Sequence, residues 1–148
     1  MVTNRPTTDI GELPARLRLA ITRTARRLRQ EAGTDLSPSL TSALATIERH
    51  GPLTPSELAE IERIQRPSAT RIVAKLDSDG LVDRAADPSD GRVSLVSASR
   101  DGRALLRRLR TRKNAYLARR MRDLDPNDVA ALERAAEVLE RLLEGERS

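Results

Sequence analysis

Ser68, Arg71 and Lys75 follow one another at spacings of three and four residues, so a helix through them would carry a hydroxyl, a guanidinium and an ammonium on one face. An arginine so placed can donate two hydrogen bonds to guanine O6 and N7, and a serine can bond a base or a phosphate. Gln65 and Arg66 precede Pro67 at the expected N-terminus of that helix, where free backbone N–H groups and the helix dipole attract phosphate. Thr70 and Lys75 suit phosphate better than base edges. Further on, Arg92 lies in a turn-rich stretch where it could enter a narrow minor groove. Asp90, two residues earlier, falls on the same face of an extended segment and could hold that guanidinium in place, a structural role at the turn. Arg84 suits either a phosphate contact or a structural ion pair. The plainer use of all these residues is a solvated polar surface.

Other chemistries find little support. The chain has no cysteine, which excludes disulfides, thiolate metal sites and thiol redox switching together. His50 is the only histidine and stands beside Gly51 at an expected helix end, where a cation suits the dipole; one histidine does not make a metal site. The seven glycines fall in no dinucleotide or P-loop spacing, and neither GxSxG nor HExxH occurs. No catalytic residue, metal or cofactor is therefore expected. The longest uncharged run, Leu36 to Ile47, is too short and too polar to span a bilayer, and Met1 to Asp9 lacks the apolar stretch of a signal peptide. The expected compartment is the cytoplasm, with no membrane partner.

Of 27 cationic residues only Lys75 and Lys113 are lysines, and the formal net charge is +5. An arginine-rich balance of this kind favours bidentate contacts to phosphate, guanine or carboxylate. Its distribution complicates the picture: residues 103–122 carry +9, while residues 123–148 sum to −5. The arginine-rich segment can bind DNA, or it can pair with Glu133, Glu137, Glu140 and Glu144 within or between subunits. Only Arg100 and Arg103 are expected to compete for phosphates.

These groups must be positioned by helices. With Tyr116 as the sole aromatic residue, a core has to be built from Leu, Ile, Val and Ala, which suits helix packing. Met1 to Thr8 reads as a loose arm. A first helix is expected from about Ile10 to Ala32, with Leu17, Ile21, Ala25 and Leu28 on one face, Pro14 marking its start and Gly33 its stop. Ser37-Pro38 opens a second helix with Leu40, Ala43, Leu44 and Ile47 inward. Thr54-Pro55-Ser56-Glu57 is a capping box for a short third helix through Leu58, Ala59 and Ile61. The fourth, after Gln65, turns Ala69, Ile72, Val73 and Leu76 inward and stops at Asp79-Gly80. Leu81 to Arg84 and Val93 to Val96 read as strands flanking a hairpin tip at Asp87 to Gly91. Ser99 caps a long helix to about Arg122, and Asp125-Pro126 opens a last one striped with Val129, Leu132, Ala136, Leu139 and Leu142/Leu143.

The expected fold is mainly α with a small β-hairpin wing, one domain over residues 1–148. Residues 37–97 have the layout of a winged helix-turn-helix lobe, and residues 10–33 and 99–146 that of a helical dimerisation lobe. Such a lobe can lay its last helix in the major groove of double-stranded DNA and its hairpin tip in the flanking minor groove, and a two-fold dimer presents two readers about one helical turn apart.

The run Asp87-Pro88-Ser89-Asp90-Gly91-Arg92, continuing through Val93 to Val96, Ser99 and Gly102, resembles the wing of the MarR family of bacterial transcription regulators. Leu76 to Arg84, preceding it, is similar to the family's segment at the end of the recognition helix, and the resemblance extends from about Leu13 to Leu143. One departure is Ala98-Ser99, where the family commonly has Leu-Thr. The resemblance implies homodimers that bind palindromic operators, mostly as repressors, and that often release DNA when a small ligand binds between the lobes. Here that ligand would be apolar or anionic, from the side chains available. The alternatives are a DNA-coating architectural protein without sequence preference, and a helical module that binds a protein.

Overall fold

The computed structural model describes residues 10–147, so the arm expected over Met1 to Thr8 lies outside the described residues. Six α-helices and one hairpin follow in the order α1 Leu13–Ala32, α2 Pro38–His50, α3 Pro55–Glu62, α4 Arg66–Ser78, β1 Val82–Asp87, β2 Asp90–Ala98, α5 Arg100–Met121 and α6 Pro126–Glu144. The first helix begins at Leu13 rather than Ile10, because Gly11 takes a positive φ of 44° and Pro14 can stand only in an opening turn.

Short-range capping sets most helix starts. Ser37 Oγ accepts from Leu40 N–H at 3.2 Å. Thr54 Oγ1 accepts from Glu57 N–H at 3.1 Å while Glu57 Oε1 accepts from Thr54 N–H at 3.4 Å, a reciprocal capping box. Asp125 Oδ1 caps α6 through Asp128 N–H at 2.9 Å. Each cap satisfies N–H groups that the helix cannot, worth about 1 kcal/mol.

The core sits between α2, α3, α4 and the hairpin, where Leu44, Ile47, Leu53, Leu58, Val73, Leu76 and Val96 are fully buried. Leu106 joins it from α5. Of the inward positions expected on α2 and α4, Leu40 and Ile72 are only partly buried. On α3, Ile61 is 46% exposed. β1 and β2 are longer than the alternating residues indicate. They pair antiparallel from Val82 with Ala98 to Asp87 with Asp90, with an irregularity after Ala86, so Asp87, Asp90 and Gly91 belong to the strands rather than to the tip. Asp87 Oδ1 accepts from Ser89 N–H at 2.9 Å and from Ser89 Oγ at 2.8 Å, which closes the turn in two residues. Leu53 adds a rung on the other edge of β2, exchanging both backbone bonds with Val96 at 3.0 and 2.7 Å.

The outer helices are less enclosed. The C-terminal end of α1 is tied to α5 by Arg112 Nη1, which donates to the Ala32 carbonyl at 2.8 Å, and by Arg27, whose guanidinium lies 5.6 Å from the Tyr116 ring centroid. Of the expected α1 face, Ala25 and Leu28 are partly covered, but Leu17 and Ile21 are exposed. No described residue of α6 is buried, and Leu132, Leu142 and Leu143 are 46%, 61% and 65% exposed. Burying a side chain of this size stabilises by roughly 1.5–3 kcal/mol, a contribution the stripe does not make within the single chain.

Candidate nucleic-acid interface

α4 is anchored from behind and open in front. Ala69, Val73 and Leu76 are buried in the core, which turns Thr70, Arg71 and Lys75 outward, with Ser68 partly covered. At its N-terminus Gln65 is the cap residue but makes no side-chain capping bond, and Arg66 and Pro67 fill the first two helical positions. The opening N–H groups of the helix therefore face outward without an internal acceptor, an arrangement that attracts phosphate.

The outward side chains are held by weak local partners. Arg71 Nη2 donates to Ser68 Oγ at 3.3 Å. The Thr70 hydroxyl donates to the Arg66 carbonyl at 3.1 Å, leaving its lone pairs free as acceptors. Lys75 Nζ lies 3.1 Å from Asp79 Oδ1. Exposed pairs of this kind contribute about 0–1 kcal/mol, so a phosphate can displace them.

The hairpin reproduces the pattern at its tip. Asp90 Oδ1 accepts from Arg92 N–H at 3.1 Å and from Arg92 Nε at 3.3 Å, while the Arg92 side chain stays 93% exposed. Asp90 thus aims a guanidinium that remains available. Asp87 is also an acid with a defined job: the Ser89 backbone N–H, then its hydroxyl, hold the carboxyl below its ordinary pKa. At the hairpin base, Arg84 Nε lies 3.2 Å from Asp77 Oδ2 of α4. That pair joins the helix to the wing, a role for Asp77 that the sequence reading did not include; an acid seven residues before an arginine across a Gly turn is too loose a signal.

The arginines of α5 stay exposed, but several of them are tied to neighbouring elements. Arg110 Nη1 lies 2.9 Å from Glu48 of α2, Arg103 Nη1 donates to the Ala98 carbonyl at 2.7 Å, and Arg119 Nη2 lies 4.0 Å from Glu31 of α1. Among the described residues no ion pair joins α5 to α6, so within one chain the partners are Glu31 and Glu48 rather than the acids of the last helix. Glu62 is another group absent from the sequence reading: its carboxylate accepts from Ser42 Oγ at 2.8 Å and from Thr46 Oγ1, fixing the end of α3 against α2.

Between the two sets of helices lies a crevice of about 530 Å³. Leu36, Leu40 and Leu105 line it together with Lys75, Arg108 and Arg112. No helix among the described residues is long and apolar enough to cross a membrane, and they contain no cluster of metal-ligating side chains.

Residues 36–94, α2 through most of the hairpin, match the profile of the MarR family. An HTH-type transcriptional regulator of Mycobacterium tuberculosis is 38% identical over 135 residues, which cover 90% of this chain and 94% of that protein. The crystal structure of a transcriptional regulator from Pseudomonas aeruginosa superposes with a TM-score of 0.83 at 37% identity, over 93% of this chain and 98% of that one. At 17% identity the fold also recurs in Streptococcus pneumoniae FabT, crystallised in complex with DNA, with a TM-score of 0.71 over 93% of this chain and 99% of that one.

Proposed function

The chain belongs to the MarR family, and on that premise we propose that it is a homodimeric DNA-binding transcriptional regulator that represses from a palindromic operator. Arg71 reads guanine in the major groove, with Ser68 beside it and Gln65, Arg66, Thr70 and Lys75 on flanking phosphates. Arg92, aimed by Asp90, enters the minor groove, and Arg84 contributes phosphate contact while bracing the wing on Asp77. The observation that carries this reading is the two-sidedness of α4: its back is locked in the core, and its front presents Arg71 beside an uncapped N-terminus. The likeness to FabT, a protein crystallised with DNA, supports it.

The dimer is supported by α6, whose leucines stay in water in the single chain. The outer helices, residues 10–33 and 99–146, form the dimerisation lobe and residues 37–97 the reading lobe. An apolar or anionic effector enters the crevice beside Arg108 and Lys75 and releases DNA by altering the angle between the lobes. The internal partners of Arg103, Arg110 and Arg112 leave fewer free cations on α5 and disfavour an architectural DNA-coating role.

Fluorescence anisotropy on the DNA upstream of its own gene, against a scrambled duplex at about 150 mM salt, tests the function. A preference on the order of 10³-fold or more, with one dimer per site, is the expected result. Equal weak binding to both, falling steeply with salt and with no preferred site recovered by genomic selection, would replace it with the architectural reading.

A further inference from the structure

The charges of α6 are as ordered as its leucines. Glu133, Glu137, Glu140 and Glu144 recur at steps of four, three and four residues, so they share one face of the helix. Each directly follows a member of the apolar stripe Leu132, Ala136, Leu139 and Leu143, which sets the acids along one edge of that stripe. All four are exposed, and among the described residues none makes an ion pair or a side-chain hydrogen bond.

The first helix carries the complementary pattern. α1 holds six arginines and one acid, against five acids and two arginines on α6. Arg16 and Arg23 line a groove of about 450 Å³ together with the exposed Leu13, Leu17, Leu19 and Ala20. No acid borders that groove, and among the described residues neither guanidinium has a partner. The two arginines stand seven residues apart, about 10 Å along the helix, which is also the separation of Glu133 and Glu140, the two acids nearest the centre of the α6 stripe. Among the described residues no ion pair joins α6 to α1 or α5 of the same chain; Arg27 and Arg119 share Glu31 instead.

We propose that the acidic edge of α6 docks on the arginine-rimmed groove of α1 in a second copy of this chain, with Glu133 and Glu140 meeting Arg16 and Arg23, and that this charge pairing selects another copy of the chain as the partner. The inference deepens the dimer reading above and rests on it. A two-fold axis accounts for both halves of the match lying on one chain: the contact that α6 makes on the other copy is received in turn by its own α1, so both apolar faces are covered and every ion contact occurs twice. An unrelated protein would need an acid-edged stripe and an arginine-rimmed groove in the same arrangement. Burial of the leucines supplies adhesion with little preference, whereas charges flanking an apolar seam set which helices pair and reject those of like sign.

Two charge-reversed forms of the full-length protein test this: Arg16→Glu with Arg23→Glu, and Glu133→Arg with Glu140→Arg. All four positions are exposed, so each form should keep its helical circular dichroism. Alone, each form meets like charge at both contacts, and its dimer dissociation constant in sedimentation equilibrium should rise about tenfold or more. Mixed in equal amounts, the two forms present opposite charges at both contacts, so native mass spectrometry should show the mixed dimer in excess over either self-paired one. The wild-type dimer should also weaken between about 50 mM and 500 mM sodium chloride, as exposed ion pairs are screened. A wild-type dimer indifferent to salt, reversed forms that dimerise as tightly as wild type, or a mixture without preference for the mixed dimer would each overturn the charge pairing and leave the dimer itself standing. A wild type that sediments as a monomer throughout would overturn the dimer reading and this inference with it.

Discussion

Ser99 Oγ donates a 2.7 Å hydrogen bond to the Gly80 carbonyl, joining the start of α5 to the turn that follows α4. The same oxygen accepts from Gly102 N–H at 3.1 Å, and Ser99 N–H donates to the Leu81 carbonyl at 3.0 Å. Gly102 permits this approach, since a Cβ there would stand 2.1 Å from the Leu81 carbonyl oxygen. One buried hydroxyl thus caps the long helix and clamps it to the segment that follows the reading helix.

Ser99→Ala removes the cap and leaves the Gly80 carbonyl without its donor, so it should destabilise the fold by about 1–3 kcal/mol. Ser99→Thr keeps the hydroxyl and should cost much less. Urea denaturation of both variants checks this; an Ala variant as stable as wild type would show that the clamp is not structural.

Arg71→Ala should weaken operator binding by roughly 1–3 kcal/mol while leaving random DNA nearly unchanged. Arg92→Ala should instead reduce the salt slope of binding by about one unit. Anisotropy titrations over a salt series separate the two behaviours, and an equal loss on operator and random duplex would remove Arg71 from base reading.

Leu132→Glu combined with Leu142→Glu places charge in the exposed stripe of α6, where it costs the single chain little. If two copies bury that stripe, the double variant should sediment as a monomer, keep its helical circular dichroism, and bind the operator at least tenfold more weakly. A double variant that remains dimeric would move the interface elsewhere.

Asp87 gives the wing tip a pH dependence. Its folded-state pKa is held down by the Ser89 N–H and hydroxyl, so its contribution is present above the unfolded carboxylate value, near 4, and is lost as pH falls through the lower folded value. The Ser89 amide should therefore lose hydrogen-exchange protection on acidification below about pH 4. Asp87→Asn should show the weakened turn at neutral pH; a Ser89 amide insensitive to both changes would discount the contact.

What the sequence by itself determined is local. Ser37, Thr54, Ser99 and Asp125 cap helices because each oxygen meets an N–H three residues on, and the stripe Ala69, Val73, Leu76 turns Arg71 outward because helical spacing leaves no other side for it. The wing was legible from its turn residues, though not its length, since the pairing of Asp87 with Asp90 is a relation between strands. Only the tertiary structure decided which acids the arginines meet. A guanidinium on a long flexible stem reaches whatever carboxylate or carbonyl the packing brings near, so Arg84 finds Asp77, Arg110 finds Glu48, and Arg112 finds the end of α1. The same holds for Leu53, whose backbone pairs with Val96 only because the connector between α2 and α3 folds onto the sheet edge. Caps and stripes depend on residues a turn apart, whereas charge partners and sheet rungs depend on contacts between distant segments that exist only once the core has closed.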